Sequence, residues 1–376
     1  MRRHIEASYR DPMRAGWRWG VCAAVVAVLV ALPFVVRYAP VPVPDAAPAA
    51  LLARMQASAG RPYAGYAEST GSLALPTADQ LNDVATLLSG RTQVRVWWQS
   101  PTDWRADTIT PAGERSTRTT TAGSLVWDYE DNRVTTSSPE PNGTIRLPRD
   151  TDTLPPQLAA RMLSDARPDE VTALPARRVA GRAAEGLSLR PNDPLSSVGR
   201  VDVWADEASG IPVLVEVFGR TGDVAAMAST FLDFTDAAPT DDDLGFVVPP
   251  GVRVRPAPRT DLVRDVARSV GPLPPAALLG FARSGPNTGV TAIGQYGRGV
   301  TQLVVGALPD RISGSLREQL RLGTGARETP DGVVVGVGPV GLLLTTSRRG
   351  FAWLVAGTVT PDGLARAATE LREGTS

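Results

Sequence analysis

Hydrophobic and polar positions alternate with period two through the first third of the chain beyond residue 90. Val94, Val96 and Trp98 interleave with Gln93, Arg95 and Trp97; Trp104 and Ala106 interleave with Asp103, Arg105 and Asp107; Leu125, Trp127 and Tyr129 interleave with Ser124, Val126 and Asp128. Such alternation predicts antiparallel strands with one apolar face. Short turns such as Pro111-Ala-Gly113 and Asp131-Asn132 would join them. Strands resume at Val201–Asp206 and, after the turn Ala208-Ser-Gly210, at Ile211–Phe218.

Helical spacing appears in three places around these strands. Leu51, Leu52 and Met55 predict a short helix over Ala47–Ser58, and Leu158, Met162 and Leu163 another over Pro155–Ala166. Thr77-Ala-Asp-Gln80 has capping-box form and precedes Leu81, Val84, Leu87 and Leu88, with Gly90 as the stop. The expected architecture for residues 49–236 is α+β: a twisted antiparallel sheet with helices on one face.

A second pattern occupies residues 260–376. Strand-like runs fall at Gly289–Ala292, Val300–Val305, Val333–Val337, Leu342–Thr345 and Phe351–Gly357. Asp310 opens a helix through Ile312, Leu316 and Leu320, and Thr360-Pro-Asp opens another through Leu364, Ala368 and Leu371. This is a smaller α+β domain. Residues 237–259, rich in Pro and carrying Asp241-Asp-Asp243, read as a linker and a solvated acidic loop. The triplet lacks the spaced oxygens and Gly turn of a calcium site.

The amino terminus is different in kind. Gly20–Val36 contains no charged side chain and covers about 25 Å as a helix. Trp17, Trp19 and Tyr38 flank it as interfacial anchors, which makes 20–37 a transmembrane anchor. Residues 1–19 carry five arginines against Glu6 and Asp11, so they form a cytoplasmic basic tail and the later domains are extracytoplasmic. Residues 38–48 form a Pro-rich spacer. A cleaved signal peptide is the alternative, with Ala47-Pro-Ala49 as its small-residue site, but that site lies far beyond the apolar run.

Composition narrows the chemistry. The chain has 376 residues and a formal net charge of zero, its 39 basic residues are all Arg, and His4 and Cys22 are its single histidine and cysteine. An intrachain disulfide, a Cys/His zinc site and imidazole-dependent nucleophilic catalysis are all excluded. Balanced charge gives no field for nucleic acid. Paired carboxylates, Asp202 with Asp206 and Asp103 with Asp107, are the remaining acid–base candidates, and their period-two placement reads as a solvated sheet surface rather than catalysis. No catalytic residue, metal ligand or cofactor is expected. Gly336-Val-Gly338-Pro-Val-Gly341 spells a dinucleotide fingerprint but is followed by Leu342-Leu-Leu-Thr-Thr346 rather than a helix, so it reads as a Gly-rich hairpin. Asn142-Gly-Thr144 is a formal glycosylation sequon that reads as a turn.

The aromatic residues crowd into the early strands. Val94, Val96, Trp98, Trp104, Leu125, Trp127 and Tyr129 are assigned to one apolar face, opposite Leu81, Val84 and Leu88 of the capped helix. Core packing and the lining of an apolar ligand cavity share that composition, and both readings stay open.

The order of elements carries a resemblance. Tyr63-Ala-Gly-Tyr-Ala-Glu, then Val94-Arg-Val-Trp-Trp-Gln-Ser-Pro-Thr-Asp-Trp-Arg, then Gly123-Ser-Leu-Val-Trp-Asp-Tyr-Glu-Asp-Asn-Arg-Val and Val201-Asp-Val-Trp-Ala-Asp-Glu-Ala-Ser-Gly-Ile-Pro resemble the superfamily of the lipoprotein carrier LolA and the sigma-factor regulator RseB (MucB). Gln295-Tyr-Gly-Arg-Gly-Val-Thr resembles part of the second domain of RseB-like members. The resemblance implies a half-open antiparallel β-barrel capped by helices, an apolar cavity for acyl chains, and a smaller second domain. It also implies a partner, either a lipid or acylated lipoprotein or a membrane anti-sigma factor. With the anchor at 20–37, it points to a membrane-tethered extracytoplasmic binding protein for a lipid or lipoprotein acyl group, of envelope-sensor type. The alternative is a protein–protein regulator without a lipid ligand.

Overall fold

The computed structural model describes residues 22–27, 46–73, 87–110, 113–139, 148–248, 250–256, 271–284, 293–323 and 325–374. Residues 22–27 are helical, with Val25 and Val26 exposed; the rest of the expected anchor lies outside the described residues. No helix among the described residues is long and apolar enough to cross a membrane.

Helix α1, Pro48–Ala57, takes its start from Pro48, whose missing N–H costs nothing in a first turn. Twelve strands then build one sheet: β1 (Tyr63–Gly71), β2 (Arg91–Ser100), β3 (Asp103–Thr110), β4 (Gly113–Thr120), β5 (Gly123–Asp128), β6 (Arg133–Ser137), β7 (Val171–Val179), β8 (Arg182–Leu189), β9 (Val198–Asp206), β10 (Pro212–Gly219), β11 (Met227–Thr235) and β12 (Arg253–Pro256). Their spatial order is β12-β6-β5-β4-β3-β2-β1-β11-β10-β9-β8-β7. All neighbours are antiparallel except β12 with β6. The sheet therefore stays open, with β12 and β7 as its edges, and the architecture is α+β without a closed barrel.

Helix α1 and helix α2 (Pro155–Leu163) lie on the β7–β11 half of this sheet. Leu51, Leu52 and Met55 of α1 and Leu158, Ala159 and Leu163 of α2 are buried with Leu187, Val201, Val203, Val215 and Val217. The expected helix after Thr77 lies outside the described residues apart from its last turn, residues 87–89.

The segment read as a linker behaves otherwise. Asp241–Leu244 forms one helical turn, α3, capped by Thr240, whose hydroxyl accepts from the Asp243 amide. Phe246 then meets the Trp127 ring edge-on at 5.9 Å, and β12 pairs in parallel with β6. Sequence composition made this stretch polar and Pro-rich; the buried Leu244, the Phe246–Trp127 contact and a hydrogen bond from Arg105 Nη1 to the Gly245 carbonyl at 2.7 Å hold it to the sheet.

A second, six-stranded sheet follows the short hairpin β13 (Ala277–Leu278) and β14 (Phe281–Ala282). Its members are β15 (Ile293–Arg298), β16 (Thr301–Pro309), β17 (Ala326–Thr329), β18 (Gly332–Val337), β19 (Val340–Thr345) and β20 (Phe351–Gly357), in the order β15-β16-β20-β19-β18-β17. The run expected at Gly289–Ala292 falls outside the described residues, and the strand begins at Ile293. Helix α4 (Asp310–Arg321) buries Leu316 and Leu320. Helix α5 (Pro361–Glu373) is capped by Thr360, with Pro361 in the first turn, and buries Leu364, Ala368 and Leu371. From Val43 to Ser376 the chain is one compact unit, so the two sheets share it.

The Gly-rich hairpin is one of the joints. Gly338 and Pro339 form the β18–β19 turn, and the Ser197 hydroxyl donates to the Pro339 carbonyl. Gly338 has φ +56°, and a Cβ there would stand 2.6 Å from Leu73 Cδ2. Gly338→Ala should therefore destabilise the protein by about 1–3 kcal/mol, read as a lower urea midpoint with unchanged m-value.

Candidate functional site

The strand register decides which expected lining residues meet. Directly opposed residues of antiparallel strands point to the same side. Val96 opposes Ala106, Ala106 opposes Thr117 and Thr117 opposes Val126, while Trp98 opposes Trp104. On the other side run Arg95, Asp107, Ser116, Trp127 and Val134. Thus Val94, Val96, Trp98 and Trp104 share the helix-covered face, whereas Leu125 and Trp127 occupy the opposite one. Tyr129 stacks on Trp127 at 3.8 Å and is largely exposed. Leu88 is half-buried against the core under α1 and α2. Leu81 and Val84 lie outside the described residues.

The four residues on the covered face are buried in one cluster, whose rings form a packed array. Trp98 stacks on Trp104 at 5.7 Å and on Tyr63 at 6.0 Å; Tyr63 meets Phe231 edge-on at 5.7 Å, and Phe231 tilts against Phe234 at 5.1 Å. The Tyr63 hydroxyl donates to Gln157 of α2 at 2.8 Å. Burial pushes the phenol well above its ordinary pKa, with the Gln157 contact opposing, so Tyr63 stays a neutral donor. Three polar atoms on this face have no hydrogen-bond partner among the described residues: Trp98 Nε1 and the hydroxyls of Ser69 and Ser229. Ser69 and Ser229 are cross-strand partners, 4% and 1% exposed.

Three of the four carboxylates expected on a solvated surface are buried instead, and the fourth, Asp103, is half-buried and paired with Arg118 at 2.6 Å. Asp202 accepts from Ser188 Oγ at 2.6 Å and from Arg200 Nε at 3.1 Å. Asp206 accepts from Arg182 Nε at 2.6 Å and from the Ser209 amide and hydroxyl. Desolvation pushes the Asp206 pKa up, but those donors together hold it below the usual range. Asp107 is held bidentately by Arg105. Each carboxylate is committed to arginine or hydroxyl donors, which fits structural pairing and leaves no free general base among them. Period-two parity placed these acids beside the apolar face correctly, but it could not show that arginines two or more residues away would cover them. No group of three His, Cys, Asp or Glu among the described residues is arranged to hold a metal.

A polar clasp joins the sheets at a place the sequence did not mark. Glu170, in the 3-10 turn before β7, is buried and accepts from Arg298 at the β15–β16 turn, Nη2 at 2.5 Å and Nη1 at 3.2 Å. It also accepts from the backbone amides of Arg167 and Asn192. Desolvation raises its pKa, yet the Arg298 and amide hydrogen bonds outweigh it and leave the carboxyl below its ordinary value. Arg298 Nη1 further donates to the Asp165 carbonyl, and the Gly299 amide to the Asp165 carboxylate. Nearby, the Ser197 amide donates to Thr358 and the Thr360 amide to Leu195.

No family model and no curated protein matches the sequence. Among solved structures, the MucA/MucB complex of Pseudomonas aeruginosa matches with TM-score 0.47 and 17% identity over 86% of this chain and 97% of that one. A crystal structure of MucB matches with TM-score 0.43 and 16% identity over 87% and 98%. A LolA superfamily protein from Nitrosomonas europaea matches with TM-score 0.24 and 10% identity over 54% and 99%. The chain is similar to MucB along most of its length and to a LolA superfamily protein along about half of it.

Proposed function

We propose that this chain is an extracytoplasmic, non-enzymatic regulatory module that docks a membrane partner protein of anti-sigma-factor type and is tethered by residues 20–37. The stacked array of Tyr63, Trp98, Trp104 and Phe231 is the observation that supports the reading, because rings in mutual contact pack as a protein core packs. The partner class comes from the sequence resemblance, whose quoted segments fall on β1, the β2–β3 hairpin, the β5–β6 hairpin and the β9–β10 hairpin in that order. The tether is supported by the basic flank before the apolar run and by the exposed valines of residues 22–27.

A second reading, binding of a lipid or lipoprotein acyl group, draws on Ser69 and Ser229. Two cross-strand buried hydroxyls without partners among the described residues are costly, and an acyl carbonyl arriving on that face would satisfy them. The two readings separate in one experiment on the detergent-purified full chain. Lipid extracts are weighed by mass spectrometry, and binding to the extracytoplasmic part of a single-pass anti-sigma factor is measured by calorimetry. The docking reading expects saturable one-to-one protein binding and no stoichiometric lipid. Stoichiometric acyl lipid with no protein binding would replace it with the second reading.

A further inference from the structure

The ends of β8, β9 and β10 enclose a cleft of about 620 Å³ between the loop after Leu189 and the turn after Gly219. Three guanidinium groups line it, those of Arg190, Arg200 and Arg220. They are held very differently.

Arg220 is part of the wall. Its Nη1 donates to the carbonyls of Pro194 at 2.9 Å and Ser196 at 3.1 Å, and its remaining donors have no partner among the described residues. Arg200 lies flat on the Phe218 ring, 3.6 Å from the centroid, with Nε bonded to Asp202. Arg190 is exposed, and its side chain has no partner among the described residues. Two carboxylates share the lining. Asp193 is engaged in capping the Leu195 amide at 2.9 Å. Asp223 is 99% exposed and stands 3.7 Å from Arg200, a geometry that contributes little. Donors in the cleft thus outnumber the acceptors available to them.

We propose that this cleft binds a phosphate-class oxyanion, with Arg190 and Arg220 supplying the direct donors. Planar guanidinium forks match tetrahedral oxyanions bidentately, and Arg220, held to the wall through Nη1, keeps its other donors to spend on one. Arg200, pinned by Phe218 and Asp202, lines the same space as a fixed cation. The ligand is a free phosphate compound or the headgroup of an anionic phospholipid, which share this chemistry.

Calorimetry on the detergent-solubilised full chain tests the site with sodium phosphate against sodium chloride of equal ionic strength. A second arm uses dihexanoyl-phosphatidylglycerol against dihexanoyl-phosphatidylcholine. Saturable binding of phosphate identifies a free anion, and binding of phosphatidylglycerol alone identifies a headgroup; either supports the site if Arg190→Gln weakens it at least tenfold. The Arg190 side chain holds no group among the described residues, so that variant should fold normally, and Arg327→Gln on β17 should bind as the wild type does. Absence of saturable binding in both arms, or wild-type affinity in Arg190→Gln, overturns the proposal.

Discussion

Trp98→Ala should lower stability by about 3–5 kcal/mol, one of the two largest single-residue effects expected in this protein. Trp98 is 7% exposed and lies between Tyr63 and Trp104 in the stack, so truncation leaves a void with aromatic walls that cannot collapse. A residue lining an empty cavity would lose far less, because the space beside it already exists. Trp98→Phe supplies the control. It keeps most of the ring and removes an indole N–H that has no partner among the described residues, so it should cost under about 1.5 kcal/mol. Urea denaturation of the three proteins distinguishes the cases: equal, small losses for both variants would show that the stack is not a filled core.

Arg298→Ala is expected to cost about 3 kcal/mol, since it strands the buried Glu170 carboxylate with only two backbone amides. The value sits at the low end for broken buried pairs because the Arg298 side chain is 30% exposed and water shares the screening. A pH dependence follows from the lowered Glu170 pKa. Its folded-state value lies below the unfolded one, so the stabilisation is complete above the ordinary glutamate range. It is lost as pH falls through the lowered value. Thermal melts from pH 7 to pH 3 should show the gap between wild type and Arg298→Ala narrowing at the acid end. A gap that stays constant over that range would mean the clasp contributes through packing alone.

Much of the fold was legible because its signals are local. The helix over Pro48–Ala57, the β2–β3 hairpin and the cap at Thr360 are each written in a short contiguous stretch. Strand β4, Gly113–Thr120, was not legible: Gly-Glu-Arg-Ser-Thr-Arg-Thr-Thr has no apolar alternation, and it is a strand because β3 and β5 pair on both sides of it. The candidate site shows the sharper limit. Alternation within a strand correctly grouped Val94 with Val96, and Leu125 with Trp127. It says nothing about which face of one strand continues onto the next. That depends on register across β3, β4 and β5, and there the parity placed Trp127 opposite to Trp98. Ser69 and Ser229 carried a usable signal, since both are polar residues at positions where the apolar face continues through Ala67 and Phe231. Glu170 and Arg298, 128 residues apart, carried none.

Strand β12 bears on self-association. An open sheet offers unpaired N–H and C=O groups at each edge, and a second copy of the chain is the nearest strand able to pair with them. At one edge β7 carries Pro175 and a register irregularity before Arg177. At the other, Arg253-Val-Arg-Pro256 lies over β6, placing two arginines and a proline outermost. Without those four residues the exposed edge would be Arg133-Val-Thr-Thr-Ser137, which is short on charge and free of proline. Residues 253–256 thus set charge and a proline where edge-to-edge pairing of two copies would begin.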